Sequence, residues 1–181
     1  MTAETKPEPV PRDEEQATSH ESFENFYRRE FREVVGLAYA LSGSRLGAED
    51  LAQEAFIAAH RKWDRIGGYD KPGAWVRRVV ANKAVSGFRR KAAEAKALAR
   101  LAGQRHQPLP ELEPQDEEFW KTVRRLPDRQ AQAISLFYIE DRPVAEIAEI
   151  LGCSPATAKV HLFRGRRSLA EKLGLEVADE S

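Results

Sequence analysis

A predicted helix near the C-terminus carries the residue types that bind DNA on one of its faces. Over residues 155–173, Ala158, Leu162 and Leu169 recur at helical spacing and define a buried side. The opposite side carries Thr157, Lys159, Arg164 and Arg167. Arginine and lysine read guanine edges or hold phosphates when a helix of this kind enters the major groove. An ordinary helical hairpin with a solvated basic face would show the same pattern.

The residues before this helix favour a helix-turn-helix. A short amphipathic helix is predicted over residues 144–151, in which Ala148 is small enough for a second helix to cross closely. Gly152 can adopt the positive φ that a tight turn requires. Ser154 is a good N-cap, and Pro155 suits the first position of the next helix. The turn chemistry therefore has the register of a helix-turn-helix.

A second candidate surface is acidic and lies on a helix predicted over residues 47–63. Asp50, Gln53 and Glu54 are spaced i, i+3 and i+4, so they share one outer face of that helix. The buried stripe of the helix is predicted to be Leu51, Ala52, Ala55, Phe56, Ala59 and Trp63. An acidic, hydrogen-bonding patch on a basic domain suits a basic protein partner better than DNA, although a solvated surface would have the same composition.

A third candidate surface lies on a helix predicted from residue 72 to residue 91 or beyond. Its polar members are basic or carry an amide: Arg77, Arg78, Asn82, Lys83, Arg89, Arg90 and Lys91. Aromatic rings interleaved with such residues can stack on unpaired bases, and Trp75 is the candidate here. The indole of Trp75 can equally belong to the hydrophobic core. The basic run at the end of the helix is better suited to gripping phosphates than to reading sequence.

The composition argues against several other classes of function. The 181 residues include one cysteine, Cys153, and four histidines, which excludes an intramolecular disulfide and leaves no zinc-binding cluster. An enzyme has little support, because there is no catalytic Ser/Cys–His motif and no phosphate-binding glycine loop. No apolar run is long enough to cross a membrane. A reducing cytoplasm is the expected location, and Cys153 is interpreted as a packed turn residue rather than a redox sensor.

Charge is segregated along the chain, although the 29 basic and 29 acidic residues cancel. Residues 25–100 have a net charge of +8 and residues 121–175 a net charge of +4. The segments before, between and after these two blocks are acidic, with net charges of −5, −4 and −3. This alternation is expected of two polyanion-binding domains that are joined and flanked by solvated segments.

The apolar periodicity predicts an all-α protein made of two small helical domains, at residues 23–100 and 119–174. The first domain begins with a helix over residues 23–41, ahead of the two helices described above. The helices predicted in the second domain are 119–126, 128–138, 144–151 and 155–173.

The segments outside the two domains are predicted to lack regular structure. Residues 1–22 form an acidic, Pro-containing tail, and residues 175–181 a short C-terminal tail. Residues 101–118 form a flexible, acidic, Pro-rich linker. Fully extended, that linker would span about 60 Å, close to two turns of duplex DNA at about 34 Å per turn. The two domains are therefore expected to be able to reach well-separated DNA elements.

In their order and separation, these motifs resemble those of the extracytoplasmic-function (ECF, group IV) sigma factors, small two-domain specificity subunits of bacterial RNA polymerase in the sigma-70 family. AEDLAQEAF at residues 48–56, followed by WD at 63–64, looks like the part of region 2 that binds the clamp helices of core polymerase. AWVRRVVAN at residues 74–82 looks like the part that melts and reads the −10 element. LPDRQ at residues 126–130 and the helix-turn-helix are similar to region 4, which reads the −35 element. The resemblance covers about residues 23–173.

The resemblance implies a role for each candidate surface. Core polymerase would be bound by Asp50, Gln53 and Glu54. The −10 DNA would be bound by Trp75, Arg77, Arg78, Asn82, Lys83, Arg89, Arg90 and Lys91. In the family, the position of Asn82 lies where a base flipped out of the duplex is recognised. The −35 DNA would be bound by Ser154, Ala156, Thr157, Lys159, Val160, Phe163, Arg164 and Arg167.

The function implied is that of a sigma factor, which binds core RNA polymerase, directs it to specific promoters and helps to melt the −10 element. The expected partners are core polymerase, promoter DNA as duplex at −35 and as a melted strand at −10, and an anti-sigma factor. No cofactor, metal, membrane or small-molecule substrate is expected. The protein would be cytoplasmic, and associated with the nucleoid when bound to polymerase.

Three features depart from the family pattern. Ala158 and Val160 are smaller or more apolar than the usual residues of the second helix of the helix-turn-helix, and Phe163 lies on or near its outer face, so no side-chain code for the −35 sequence is predicted. Arg142 and Pro143 replace the usual opening of the first helix of the helix-turn-helix, which leaves the start of that helix open. The acidic tail at residues 1–22 is not common to the family, and one hypothesis is that it covers the basic surface of region 2 and weakens DNA binding by the free subunit.

A different class of protein remains as an alternative. A stand-alone transcriptional regulator could bind DNA through the C-terminal helix-turn-helix alone and use residues 23–100 to sense a ligand or to dimerise. That alternative leaves the acidic patch at Asp50, Gln53 and Glu54 without a function.

Overall fold

All regular secondary structure in the described part of the chain is helical. The computed structural model describes residues 21–98 and 114–174, with the backbone alone described at 86–98 and 114–116. Within these ranges there are eight helices and no strand. They are α1 (Phe23–Ser42), α2 (Arg45–His60), α3 (Trp63–Ile66), α4 (Pro72–Leu98), α5 (Pro114–Val123), α6 (Asp128–Glu140), α7 (Val144–Leu151) and α8 (Pro155–Leu173). The prediction of an all-α protein is confirmed.

The N-terminal bundle consists of α1 to α4, and its long helices α1, α2 and α4 pack on one another. Serine hydroxyls set the starts of two of them, since Ser22 Oγ accepts from the backbone N–H of Asn25 and Ser44 Oγ from that of Gly47, both at 3.3 Å. An aromatic cluster fills one end of the bundle and comprises Phe23, Phe26, Tyr27, Phe31, Phe56 and Trp63.

Trp63 belongs to a short separate helix rather than to the end of α2. The helix predicted over residues 47–63 is interrupted after His60, and α3 then begins at Trp63. The indole of Trp63 packs against the ring of Phe26, with centroids 4.7 Å apart. The rest of the predicted stripe on α2, from Leu51 to Ala59, is buried as expected.

The C-terminal bundle consists of α5 to α8, with α8 packed against α5, α6 and α7. Its first helix begins at Pro114, inside the segment predicted to be linker. Proline is favoured at the first helical position, and acidic residues after it stabilise the positive end of the helix dipole. In the sequence alone, these residue types fit an acidic linker equally well. The predicted tails and the remaining linker residues lie mostly outside the described ranges.

The two bundles pack against each other. Helix α6 lies against α1, and α7 lies against α4. Two buried or half-buried side chains bond to backbone carbonyls across this contact: Gln132 Nε2 donates to the Ala81 oxygen at 2.8 Å, and Arg124 Nη1 donates to the Ala40 oxygen at 3.2 Å. A single hydrophobic core extends through both bundles.

Candidate nucleic-acid interface

Helices α7 and α8 form the helix-turn-helix that the sequence predicts. Gly152 follows α7 with φ of 66°, in the left-handed region, and the Cys153 N–H closes the turn by donating to the Ala148 oxygen at 3.0 Å. Ser154 Oγ then accepts from the Thr157 N–H at 3.1 Å and caps α8. Helix α7 begins at Val144, with Pro143 in an extended conformation at the N-cap position and no side-chain cap.

One face of α8 is buried and the other is available to a partner. Ala158, Leu162 and Leu169 are buried, as predicted. Gly165 completes this face by close packing, since a Cβ atom there would lie 2.8 Å from Ile134 Cγ1 on α6. The predicted −35 contacts are all exposed: Ser154, Ala156, Thr157, Lys159, Val160, Phe163, Arg164 and Arg167.

Two apolar side chains stand among the basic ones on the exposed face of α8. Phe163 is 64% exposed and Val160 is 43% exposed, one helical turn apart. Burial of large apolar surface groups by a partner makes the free energy of binding more favourable. In a major groove, such groups can contact the methyl group of thymine.

Arg166 contacts the aromatic rings of α6, unlike the other basic residues of α8, and it is not among the candidates identified from the sequence. Its guanidinium lies 4.6 Å from the centre of the Phe137 ring and 5.7 Å from that of Tyr138. These cation–π contacts hold Arg166 towards α6 and stabilise the packing of α8. The signal in the sequence was the aromatic pair on α6, which had no predicted partner.

The electrostatic field at α8 is positive enough to affect a histidine. Partial burial lowers the pKa of His161, and the charges of Arg129 and Arg164 lower it further. His161 therefore stays neutral at neutral pH, while the arginines around it supply the positive charge that favours a polyanion.

The acidic patch on α2 is exposed, as the spacing predicts. Asp50, Gln53 and Glu54 all lie at the surface, and Glu54 pairs with Lys83 of α4 at 2.9 Å. Leu46 and Ile57 are also exposed, at 58% and 52%, and lie one turn before Asp50 and one turn after Gln53. Neither residue is assigned to the buried stripe or to a surface from the sequence, because surface residues are selected there by charge and hydrogen-bonding capacity alone.

The predicted −10 residues on α4 do not share one environment. Trp75 is half-buried against the core, and Lys62 Nζ lies 5.9 Å from the centre of its ring. Asn82 and Lys83 are exposed. Arg89, Arg90 and Lys91 belong to α4, but their side chains lie outside the described residues.

The prediction for Arg77 is not met in this structure. Its side chain is only 2% exposed and donates to Glu30, Glu33 and Glu140 at 2.6, 2.8 and 2.5 Å. Arg78 is exposed, but its guanidinium donates to the carbonyl oxygens of Ile150 and Glu149 at 3.0 and 2.5 Å. Both arginines are therefore engaged by protein groups, and Arg77 is not accessible to DNA in this arrangement.

Comparison with known proteins shows the family to which the chain belongs. Residues 26–94 match the Sigma-70 region 2 family, and residues 116–169 match the Sigma-70, region 4 family. SigW of Bacillus subtilis (strain 168), an ECF RNA polymerase sigma factor, is 30% identical over 154 residues, which cover 77% of this chain and 82% of SigW. The chain belongs to the ECF sigma factors of the sigma-70 family.

Other relatives agree with this assignment. The ECF RNA polymerase sigma factor SigM of Mycobacterium tuberculosis (strain ATCC 25618 / H37Rv) is 28% identical over 156 residues, covering 84% of this sigma factor and 78% of SigM. One chain in a solved complex of the sigma factor RpoE with the anti-sigma factor NepR from Bartonella quintana has the same fold as this chain. Its matched chain gives a TM-score of 0.63 at 24% identity, with 86% of this sigma factor and 98% of that chain covered.

The family assignment settles the general function. The sigma factor serves promoter-specific initiation of transcription by RNA polymerase. In the described ranges, no group of three or more His, Cys, Asp or Glu residues is placed to hold a metal ion. None of the helices that the structure describes combines the length and apolarity needed to cross a membrane.

Proposed function

We propose that the sigma factor binds core polymerase through α2, captures the melted −10 strand through α4 and reads the −35 duplex through α8. The observation that carries this proposal is the exposure of three chemically different surfaces on these three helices. The surface on α2 is acidic and the one on α8 is basic. The one on α4 combines the exposed amide of Asn82 and the exposed amine of Lys83 with the half-buried ring of Trp75.

The α2 surface supports a protein partner rather than DNA. Carboxylates repel phosphates, so Asp50 and Glu54 would weaken contact with a nucleic acid. Leu46 and Ile57 add apolar area at the edges of the same patch. An interface with an apolar component and charged groups beside it is typical of protein–protein contacts.

The α4 surface supports capture of a single strand. Melting a base step costs a few kcal/mol, which can be offset when a flipped base enters a pocket that binds its edge. Asn82 has both a donor and an acceptor for a base edge, and Trp75 provides a π-face nearby. The neighbouring Lys83 adds positive charge for the phosphates.

An anti-sigma factor is part of the proposal. RpoE of Bartonella quintana, which has this fold, forms a complex with the anti-sigma factor NepR. By analogy, a protein of this class would hold the present sigma factor inactive in the cytoplasm. The regulator alternative is not favoured, because residues 26–94 match region 2 rather than a ligand-binding domain.

Charge reversal on α2 tests the core-binding part of the proposal. The double variant Asp50→Arg, Glu54→Arg is expected to lose co-purification with core polymerase by at least about 100-fold, since like charge opposite a basic partner costs several kcal/mol. The measurement is the fraction of core polymerase retained on tagged sigma factor, followed by transcription with the same preparations.

The matched control carries the same charge change elsewhere. Glu24→Arg, Glu117→Arg alters two exposed glutamates on α1 and α5 and should bind core polymerase like the wild type. Equal binding by the wild type and by the α2 variant would contradict the assignment of that face. Failure of the wild type to bind core polymerase, with tight binding to duplex DNA, would favour a stand-alone regulator.

A further inference from the structure

The centre of the outward side of α8 is apolar. Ala156, Val160 and Phe163 are separated by four and three residues, so they form one line along the helix. All three are exposed, and the exposed fraction is 43% for Val160 and 64% for Phe163. This line faces away from the buried side of α8, which contains Ala158 and Leu162. We call Ala156, Val160 and Phe163 the apolar stripe.

Basic side chains border the apolar stripe on both sides. At 3.6 residues per turn, Lys159 lies on one side of the stripe and Arg164 on the other. Both residues are exposed. Positive charge on either side of a helix favours a polyanion over an apolar partner, because it can contact phosphates on the two walls of a groove. The apolar stripe would then meet the floor of that groove, where the edges of the base pairs lie.

The length of the apolar stripe corresponds to a few base pairs. From Ala156 to Phe163 the helix rises about 10 Å, at 1.5 Å per residue. Successive base pairs are about 3.4 Å apart, so the stripe extends over about three of them. The side chains of alanine, valine and phenylalanine have no hydrogen-bond donor or acceptor. The stripe therefore cannot distinguish these base pairs by hydrogen bonds.

Thymine is the base whose edge suits such a surface. Its C5-methyl group projects into the major groove, whereas guanine presents O6 and N7 there and cytosine presents N4. A guanine or cytosine edge against Val160 would lose water without gaining a hydrogen bond, which is unfavourable. A thymine methyl in the same place buries apolar area on both partners, which is favourable. Contact with the apolar stripe therefore favours A·T pairs.

We propose that the apolar stripe recognises C5-methyl groups of thymine within the −35 element, so that A·T pairs are selected opposite Val160 and Phe163. This inference rests on the proposed function of α8 and specifies the base chemistry that the helix recognises. Lys159 and Arg164 hold the helix in the groove through the contacts on either side. Cytosine that carries a C5-methyl group presents the same apolar surface and should be accepted better than cytosine itself.

Uracil substitution tests the proposal with the wild-type protein. Core polymerase carrying the sigma factor is used to select duplexes from a random library, and the selected sequences define the −35 element. Each thymine of that element is then replaced by uracil, which pairs in the same way and lacks only the methyl group. At one to three neighbouring positions, the affinity measured by competition should fall about fourfold, the value of one buried methyl group. Uracil outside both promoter elements should have no effect.

Two results of this experiment would overturn the proposal. One is a −35 element that contains no thymine on either strand, and the other is unchanged affinity after uracil replaces every thymine of the element. As a further check, a contacted A·T pair is replaced by G·C with or without a C5-methyl group on the cytosine. The methylated duplex should bind about fourfold more tightly. Equal affinity of the two duplexes would count against the proposal.

Variants of α8 assign the effect to the apolar stripe. Val160→Ser and Phe163→Ser alter exposed side chains, and each should lower the preference for thymine over uracil at its contacted position from about fourfold to less than about twofold. Lys159→Ala is the matched control on the same helix, and it should weaken binding to both duplexes equally and leave their ratio unchanged. An undiminished preference in both serine variants would overturn the proposal.

The selection step separates this inference from the proposed function of α8. If the bound duplexes share no −35 element, the proposed function is contradicted, and the inference with it. If they share an element whose affinity does not depend on thymine methyl groups, α8 still reads the −35 duplex and only the inference is wrong.

Discussion

At the scale of single residues, Asn82 is the side chain on which the proposed capture of the −10 strand depends most. It is exposed on α4, one turn after Arg78 and directly before Lys83. A carboxamide presents a donor and an acceptor in one plane, which matches the edge of a base better than a lysine does. Its contribution should appear only when a base leaves the duplex.

We therefore expect Asn82→Ala to affect melting selectively. Loss of base-edge hydrogen bonds worth about 1–3 kcal/mol should lower transcription from a duplex promoter by roughly tenfold or more. On a template already mismatched across the −10 element, the loss should be less than about threefold, because melting is no longer required. The measurement is run-off transcription on the two templates. The control is Asn25→Ala, which replaces an exposed asparagine on α1. Equal losses on both templates would rule out a role in melting.

Arg77 is a residue whose surroundings could not be predicted from the sequence. Its type and its place among basic residues of α4 indicated a DNA contact. The deciding partner, Glu140, lies 63 residues further along the chain. Local spacing carries no information about such a pair, whereas the exposure of Asp50, Gln53, Glu54 and Asn82 followed from helical periodicity alone.

At the scale of elements, the position of α8 depends on its close approach to α6 at Gly165. A Cβ atom there would lie 2.8 Å from Ile134 Cγ1 and 3.2 Å from Ile134 Cδ1, and Ile134 is fully buried. By contrast, a Cβ atom at Gly36 on α1 would meet only Ile139 Cγ2, at an ordinary contact distance of 3.6 Å. The two glycines are both helical but differ in the space around them.

This difference predicts opposite effects of the same substitution. Gly165→Ala should reduce the free energy of unfolding by about 1–2 kcal/mol, because overpacking outweighs the gain in helix propensity. Gly36→Ala should leave it unchanged or raise it by up to about 1 kcal/mol. Urea denaturation followed by circular dichroism measures both. A stabilising effect of Gly165→Ala would mean that α6 and α8 are further apart than the structure shows.

Helix boundaries were predictable where the chain carries explicit capping residues. The end of α7 and the start of α8 match the prediction, since Gly152, Ser154 and Pro155 mark them. The start of α5 and the break between α2 and α3 were missed. No glycine or proline marks that break, and the acidic residues near Pro114 fit a linker as well as the first turn of a helix.

At the scale of the whole molecule, the arrangement of the two bundles could not be predicted from the sequence. Composition and periodicity indicated two helical units with a linker between them. Helix α6 contacts α1, and α7 contacts α4, through pairs such as Gln132 with the Ala81 carbonyl. No repeat or motif in the sequence predicts such a pair. The proposal that the two bundles bind separate DNA elements also gives no reason, by itself, to expect them to pack together.

The most direct test of promoter-directed initiation is to map where transcripts begin. Core polymerase should be incubated with genomic DNA of the source organism, with and without the sigma factor, and the 5′ ends of the products sequenced. We expect starts that depend on the sigma factor at a restricted set of positions, with two short shared sequence elements upstream. Arg164→Ala should weaken the preference in the distal element alone. The absence of starts that depend on the sigma factor, or starts without shared upstream sequence, would contradict the account.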